Sequence, residues 1–118
     1  MNNRKYHWHK VCESENDLKL EENGIGVVEI NGKTVCVTRF KGEWYAFPQS
    51  CPHAGAPLSL GCIDAKGYVI CPHHGYKFNI RNGKMAFDGG CILKTYPTEV
   101  RAEGVFIGFK KESFLSWL

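Results

Sequence analysis

Two short runs decide how this chain is read: Cys51-Pro52-His53-Ala54-Gly55-Ala56-Pro57-Leu58 and Cys71-Pro72-His73-His74-Gly75-Tyr76-Lys77-Phe78. Each is a loop headed by Cys-Pro, and Tyr68 to Ile70 between them reads as a short strand. Each loop offers a soft thiolate and an imidazole within two or three residues. Two such loops, carried between strands, can converge on one point and supply a Cys₂His₂ donor set. Proline stiffens the chain directly after each thiol. Gly55 and Gly75 follow the histidines, where backbone must come close to whatever the loops hold.

Working outward, the flanking sequence reads as short strands broken by Gly, Asn and Pro. Tyr6 to Cys12 alternates and opens the series. Gly24 to Ile30 and Thr34 to Phe40 are joined by Asn31-Gly32, a strong hairpin signal because both residues tolerate positive φ. Lys41-Gly42 turns the chain again into Trp44 to Phe47. Beyond the second loop, Tyr76 to Ile80 is closed by Asn82-Gly83, and Ile92 to Tyr96, Glu99 to Arg101 and Val105 to Phe109 follow. Glu15 to Glu22 reads as one short helix, capped by Ser14 or Asn16. The pattern predicts an all-β fold, an antiparallel sandwich or small barrel, as a single domain over residues 1–118. No repeat, linker or low-complexity tract interrupts it.

A chain of 118 residues accommodates about one small domain, with no room for a second, catalytic one. A centre that ties loops together stabilises a domain of this size. The net charge of +3 is scattered, which excludes the clustered basic stripe of a nucleic-acid binder. The N-terminus has no apolar leader, and no run approaches the roughly 20 apolar residues of a membrane span. The chain therefore reads as soluble and cytoplasmic, with no nucleic-acid or membrane partner. In that reducing compartment six cysteines point to metal binding or buried thiols. Cys12, Cys36, Cys62 and Cys91 stand alone in apolar surroundings and read as buried, inert thiols.

Two metals fit the donor set of the loops. Zinc takes two Cys and two His, but its finger spacings put both cysteines in one loop and both histidines on a helix. Here each loop contributes one of each. That division suits a two-iron cluster, one iron taking both thiolates and the other both imidazoles. A zinc-stabilised binding module stays as the alternative, separable by its lack of colour. His73 and His74 are neighbours, and either could be the second-loop donor.

At this point the sequence resembles the Rieske family. Its signature, Cys-x-His followed by Cys-x-x-His-Gly, is met in full by Cys51, His53, Cys71, His74 and Gly75. Ala56-Pro57-Leu58 and Phe78 also look like family residues. The resemblance implies that Cys51 and Cys71 bind the inner iron of one [2Fe–2S] cluster and that His53 and His74 bind the outer, near the surface. His73 is then an exposed neighbour. The implied fold is a base of antiparallel strands with a cluster-binding subdomain at about residues 49–80.

High-potential members of that family carry an extra cysteine in each loop, paired as a disulfide; the matching residues here are Ala56 and His73. They also carry a serine and a tyrosine whose hydroxyls bond to cluster or ligand sulfur, where this chain has Tyr76 and Phe78. Fewer donors leave the reduced cluster less stabilised, which implies a low potential. The resemblance thus implies a Rieske ferredoxin: a soluble single-electron carrier, not an enzyme in itself. It would pass electrons from an NAD(P)H-dependent flavoprotein reductase to a terminal oxygenase, reductase or similar acceptor. The alternative is a Rieske small subunit of a larger reductase, such as a nitrite-reductase-like complex. A Rieske oxygenase in its own right fails on length.

Other features carry blander expectations. His7 and His9 share one face of the first strand and read as surface residues rather than ligands. Gly89-Gly90-Cys91 falls where many Rieske proteins have a proline-bearing loop over the cluster, so the third wall of the site is open to question. Trp44, Tyr45, Phe47, Phe87, Tyr96, Phe106 and Phe109 read as core aromatics. The apolar tail Phe114-Leu115-Ser116-Trp117-Leu118 is expected to pack back on the base.

Overall fold

Hairpin chemistry organises the computed structural model, which describes residues 5–87 and 90–111. Asn31-Gly32 and Lys41-Gly42 both form two-residue loops with positive φ at each position, 50° and 80° in the first and 51° and 84° in the second. That is the primed turn geometry whose twist matches the flanking strands. The turns stitch β2 (Ile25–Ile30), β3 (Lys33–Phe40) and β4 (Glu43–Pro48) into an antiparallel meander in the order β2-β3-β4. The second base sheet joins the chain's ends. In it β1 (Tyr6–Cys12) pairs with β9 (Gly104–Lys110), which pairs with β8 (Thr98–Arg101), all antiparallel.

The third sheet is small and carries the site. β5 (Cys62–Ile63), β6 (Tyr68–Ile70) and β7 (Lys77–Asn79) pair antiparallel in that order. Loop 51–58 leads into β5 and loop 71–76 links β6 to β7, so one short ladder fixes the spacing of the two loops. Asp64 braces the turn between β5 and β6. Its carboxylate accepts from the N–H groups of Lys66 at 2.9 Å and Tyr68 at 3.0 Å and pairs with the Lys77 ammonium at 3.3 Å. The Tyr68 N–H, then that of Lys66 and the Lys77 charge, hold the Asp64 carboxyl below the usual carboxylate range.

Two apolar cores follow from this layout. Ile30, Val35, Val37, Trp44, Ala46 and Ile107 pack between the base sheets. Phe47, Leu58, Val69, Phe78, Ile80 and Leu93 pack between the meander and the small sheet, together with Cys51 and Cys71. The cluster loops therefore sit on a buried apolar layer of their own.

The all-β reading holds, with specific corrections. Among the described residues there is no α-helix. The expected helix over Glu15 to Glu22 is only a 3-10 turn at Glu15–Asp17, with the Ser14 hydroxyl accepting from the Asn16 N–H. An isolated helix of that length is marginal, and Leu18 and Leu20, two apart, both pack on the base core, which favours extended chain. Ile92 to Tyr96 is not a strand. Ile92 bridges Lys84 and Tyr96 bridges Ala46, partners in different parts of the fold, so no ladder runs along it. Cys36 is buried, and burial pushes its thiol up to about 12. Cys12 and Cys91 are only half-buried and Cys62 is exposed, because β5 is an edge strand. Phe87 is no core residue either: it is 79% exposed beside the turn at Ala86. The tail from Phe114 to Leu118, and Gly89, lie outside the described residues.

Candidate metal centre

The two loops are built on one hydrogen-bond frame. In the first, the Cys51 N–H donates to the Ala56 carbonyl at 3.0 Å and the Gly55 N–H to the Cys51 carbonyl at 2.8 Å. In the second, the Cys71 N–H donates to the Tyr76 carbonyl at 2.8 Å and the Gly75 N–H to the Cys71 carbonyl at 3.1 Å. Gly55 and Gly75 take positive φ, 71° and 72°, as the reversal of each loop requires. The frames differ at one residue. His74 also takes positive φ, 78°, where the corresponding Ala54 does not.

Cys51 is 2% exposed and Cys71 1%, both at the apolar floor. The two thiols are near enough to act on one another electrostatically. Burial raises the Cys71 thiol, and proximity to Cys51 raises it further, partly offset by a bond from the His73 backbone. Two thiols so placed ionise together only if a cation compensates both charges. Above them His53 and His74 are exposed, with ring centroids 6.3 Å apart and planes 73° apart. Tyr76 stands beside His53, with ring centroids 4.1 Å apart, and 6.2 Å from His74. His73 is exposed and stacks beside His74 at 4.0 Å.

Of the sequence-predicted residues, the structure thus sets Cys51 near Cys71 and His53 near His74 as two separate pairs, each pair drawn from both loops. Among the described residues no three Cys, His, Asp or Glu side chains gather closely enough to hold one metal ion. A mononuclear tetrahedral zinc site needs four donors around a single point. One Cys and one His from each loop, with the thiols buried and the imidazoles exposed, fit a binuclear group that takes thiolates on one metal and imidazoles on the other. His7 and His9 line a separate cleft with Asn31, Lys33, Phe109 and Lys110, outside this cluster of donors.

The sequence model of the Rieske [2Fe-2S] domain matches residues 7–97. The chain belongs to the Rieske [2Fe–2S] domain family. It is 30% identical over 103 residues to the 3-phenylpropionate/cinnamic acid dioxygenase ferredoxin subunit of Photorhabdus laumondii, covering 86% of this chain and 94% of that protein. It is 34% identical over 95 residues to human Apoptosis-inducing factor 3, covering 80% of this chain but only 16% of that protein. Among solved structures, a chain in the complex of reduced oxygenase and oxidized ferredoxin in carbazole 1,9a-dioxygenase superposes with a TM-score of 0.73. That match has 29% identity and covers 90% of this chain and 96% of that one. The Rieske group is a [2Fe–2S] cluster with mixed Cys and His ligation, and the paired donors fit it.

Sequence reasoning missed the contact of Tyr76 with His53 and the backbone conformation of His74. The former depends on two loops meeting across space, which spacing along the chain does not encode.

Proposed function

We propose that Cys51, His53, Cys71 and His74 hold one Rieske-type [2Fe–2S] cluster and that the chain is a soluble single-electron carrier. When bound, such a cluster takes up and releases one electron. The observation that carries the reading is the split donor set: two thiols buried in an apolar floor, two imidazoles open to the surface. Cys51 and Cys71 anchor the inner side, and Leu58, Val69 and Phe78, all fully buried, keep water from it. His53 and His74 hold the outer side and present their ring edges to a partner. Four protein donors leave no open position for a substrate, so the chain is a carrier rather than an enzyme in itself.

The domain is read as one unit over residues 1–118, with the cluster-binding part at about 49–80. The partners that fit are a flavoprotein reductase as donor and a terminal oxygenase or reductase as acceptor, in keeping with the dioxygenase ferredoxin relatives. The compartment is the cytoplasm; among the described residues no helix is long and apolar enough to cross a membrane. Ala56 and His73 cannot form the bracing disulfide, and Phe78 has no hydroxyl to give, so the midpoint belongs low in the Rieske span of about −150 to +300 mV.

An anaerobic redox titration followed by EPR tests both statements. A Rieske spectrum with a low midpoint is expected. A colourless protein refutes the cluster, and a midpoint above about +100 mV refutes the low-potential assignment. The second reading is a Rieske small subunit of a larger reductase, such as a nitrite-reductase-like complex. Stable co-purification with a large flavin- or haem-bearing protein would favour it.

A further inference from the structure

We propose that the ring of Tyr76 is the positioning group for the His53 imidazole, a wedge from the second loop that sets the angle of a first-loop ligand. The inference rests on the ligand reading above. The two rings lie in close contact, centroids 4.1 Å apart and planes tilted by 45°. Tyr76 meets His74 edge-on, 6.2 Å away at 82°. It is the half-buried member of this group, packed on the core that contains Cys51 and Cys71, while both imidazoles are exposed. Its backbone is equally anchored, since its carbonyl accepts the Cys71 N–H at 2.8 Å. The ring is therefore fixed to the floor of the site and offers a rigid wall to a side chain that otherwise has solvent around it.

The support is one-sided. The matching position in the first loop is Ala56, whose carbonyl makes the same bond to the Cys51 N–H at 3.0 Å but whose methyl cannot span to the other loop. His74 leans instead on its own chain neighbour His73, at 4.0 Å. An exposed imidazole without a wall samples several staggered rotamers, and a wall narrows the directions in which its nitrogen can point. Groups that fix a ligand's orientation govern how firmly the metal is held. The ring does this work and the hydroxyl does not, because the contact is between the two rings, tilted at 45°.

The test compares Tyr76→Phe and Tyr76→Leu in the cluster-loaded protein, using pulsed-EPR couplings of the two coordinated imidazole nitrogens and the rate of cluster loss to a chelator. Tyr76→Phe should match the parent in both. Tyr76→Leu should alter one nitrogen coupling and leave the other, and should speed loss by about 2- to 13-fold, the range one aromatic pair corresponds to. Should Tyr76→Leu fail to take up the cluster, Tyr76→Met fills a similar volume with a flexible chain and is read the same way. Unchanged couplings and loss rate in Tyr76→Leu overturn the proposal. So does an equal change in both couplings, or a Tyr76→Phe protein that behaves like Tyr76→Leu. A parent protein without two coupled nitrogens overturns the ligand reading itself, which separates the two failures.

Discussion

Gly61→Ala tests whether the β5–β6 ladder sets the spacing of the two loops. Gly61 closes the 3-10 turn at Leu58–Leu60 and precedes Cys62, which pairs with Ile70, the residue before Cys71. Its φ of −83° lies outside the left-handed region, so alanine incurs no left-handed strain and the steric clash dominates. A Cβ there collides with the Ile70 carbonyl oxygen, with the carbonyl carbon at 3.1 Å and the Leu58 oxygen at 3.2 Å. All of these are backbone atoms, so no rotamer change relieves the clash. The Gly61 carbonyl is itself pinned at 2.8 Å by the Asn23 amide, which also binds the Ser59 carbonyl. Overpacking typically costs about 1–3 kcal/mol, and with only backbone free to yield we place this case at about 3 kcal/mol. That is a large share of the roughly 5–15 kcal/mol stability of a domain. The control is Gly32→Ala, at φ 80° with no atom within 4 Å of the new Cβ, which carries left-handed strain alone, about 1 kcal/mol. Urea midpoints under anaerobic conditions, with iron content per chain, measure both. Gly61→Ala should lose stability and iron together, while Gly32→Ala keeps its iron. A Gly61→Ala protein within about 0.5 kcal/mol of the parent, fully loaded, would refute the reasoning.

Three further outcomes follow from the same geometry. His53→Ala and His74→Ala should abolish the Rieske EPR signal while His73→Ala retains it; an unchanged signal in His74→Ala would sink the ligand assignment. Because the folded-state pKa of Asp64 is depressed, its contribution is present above the ordinary carboxylate pKa of about 3.9 and is lost as pH falls through the lower folded value. Asp64→Ala should cost about 1 kcal/mol near neutrality and flatten that acid limb in urea midpoints taken against pH. With a thiol-alkylating reagent followed by mass spectrometry, exposed Cys62 should label first. Cys36, buried and pushed up to about 12, should resist until the protein unfolds.

What could be read from the chain alone was whatever depends on local chemistry. Asn31-Gly32 announces its hairpin because few residues accept positive φ, and the alternation of Tyr6 to Cys12 marks a strand with two faces. Cys51, His53, Cys71 and His74 stood out as candidate donors because each loop carries its own pair at fixed spacing. Elements whose conformation is decided by distant partners were not. Ile92 to Tyr96 has strand composition, yet the N–H of Leu93 goes to Gly83 and that of Tyr96 to Ala46, so its hydrogen bonds are shared between two regions. Glu15 to Glu22 has helix-compatible residues, but Leu18 and Leu20 bind the core at strand spacing. Phe87 and Cys62 looked buried by type; their exposure follows from sitting at an edge or turn of the small sheet, which only the assembled topology reveals.

The left-handed backbone at His74 sets folding against chemistry at a single residue. Side chains other than glycine incur about 1–2 kcal/mol in that region, although histidine enters it more readily than most. The chain bears that strain in every copy, whether or not anything is bound. Glycine at position 74 would relax the loop and raise stability, so folding alone would select against an imidazole there. On the proposed assignment, the histidine persists because a ligand nitrogen is required at that spot. The conflict marks the second loop as a piece of machinery held under tension by its own hydrogen bonds.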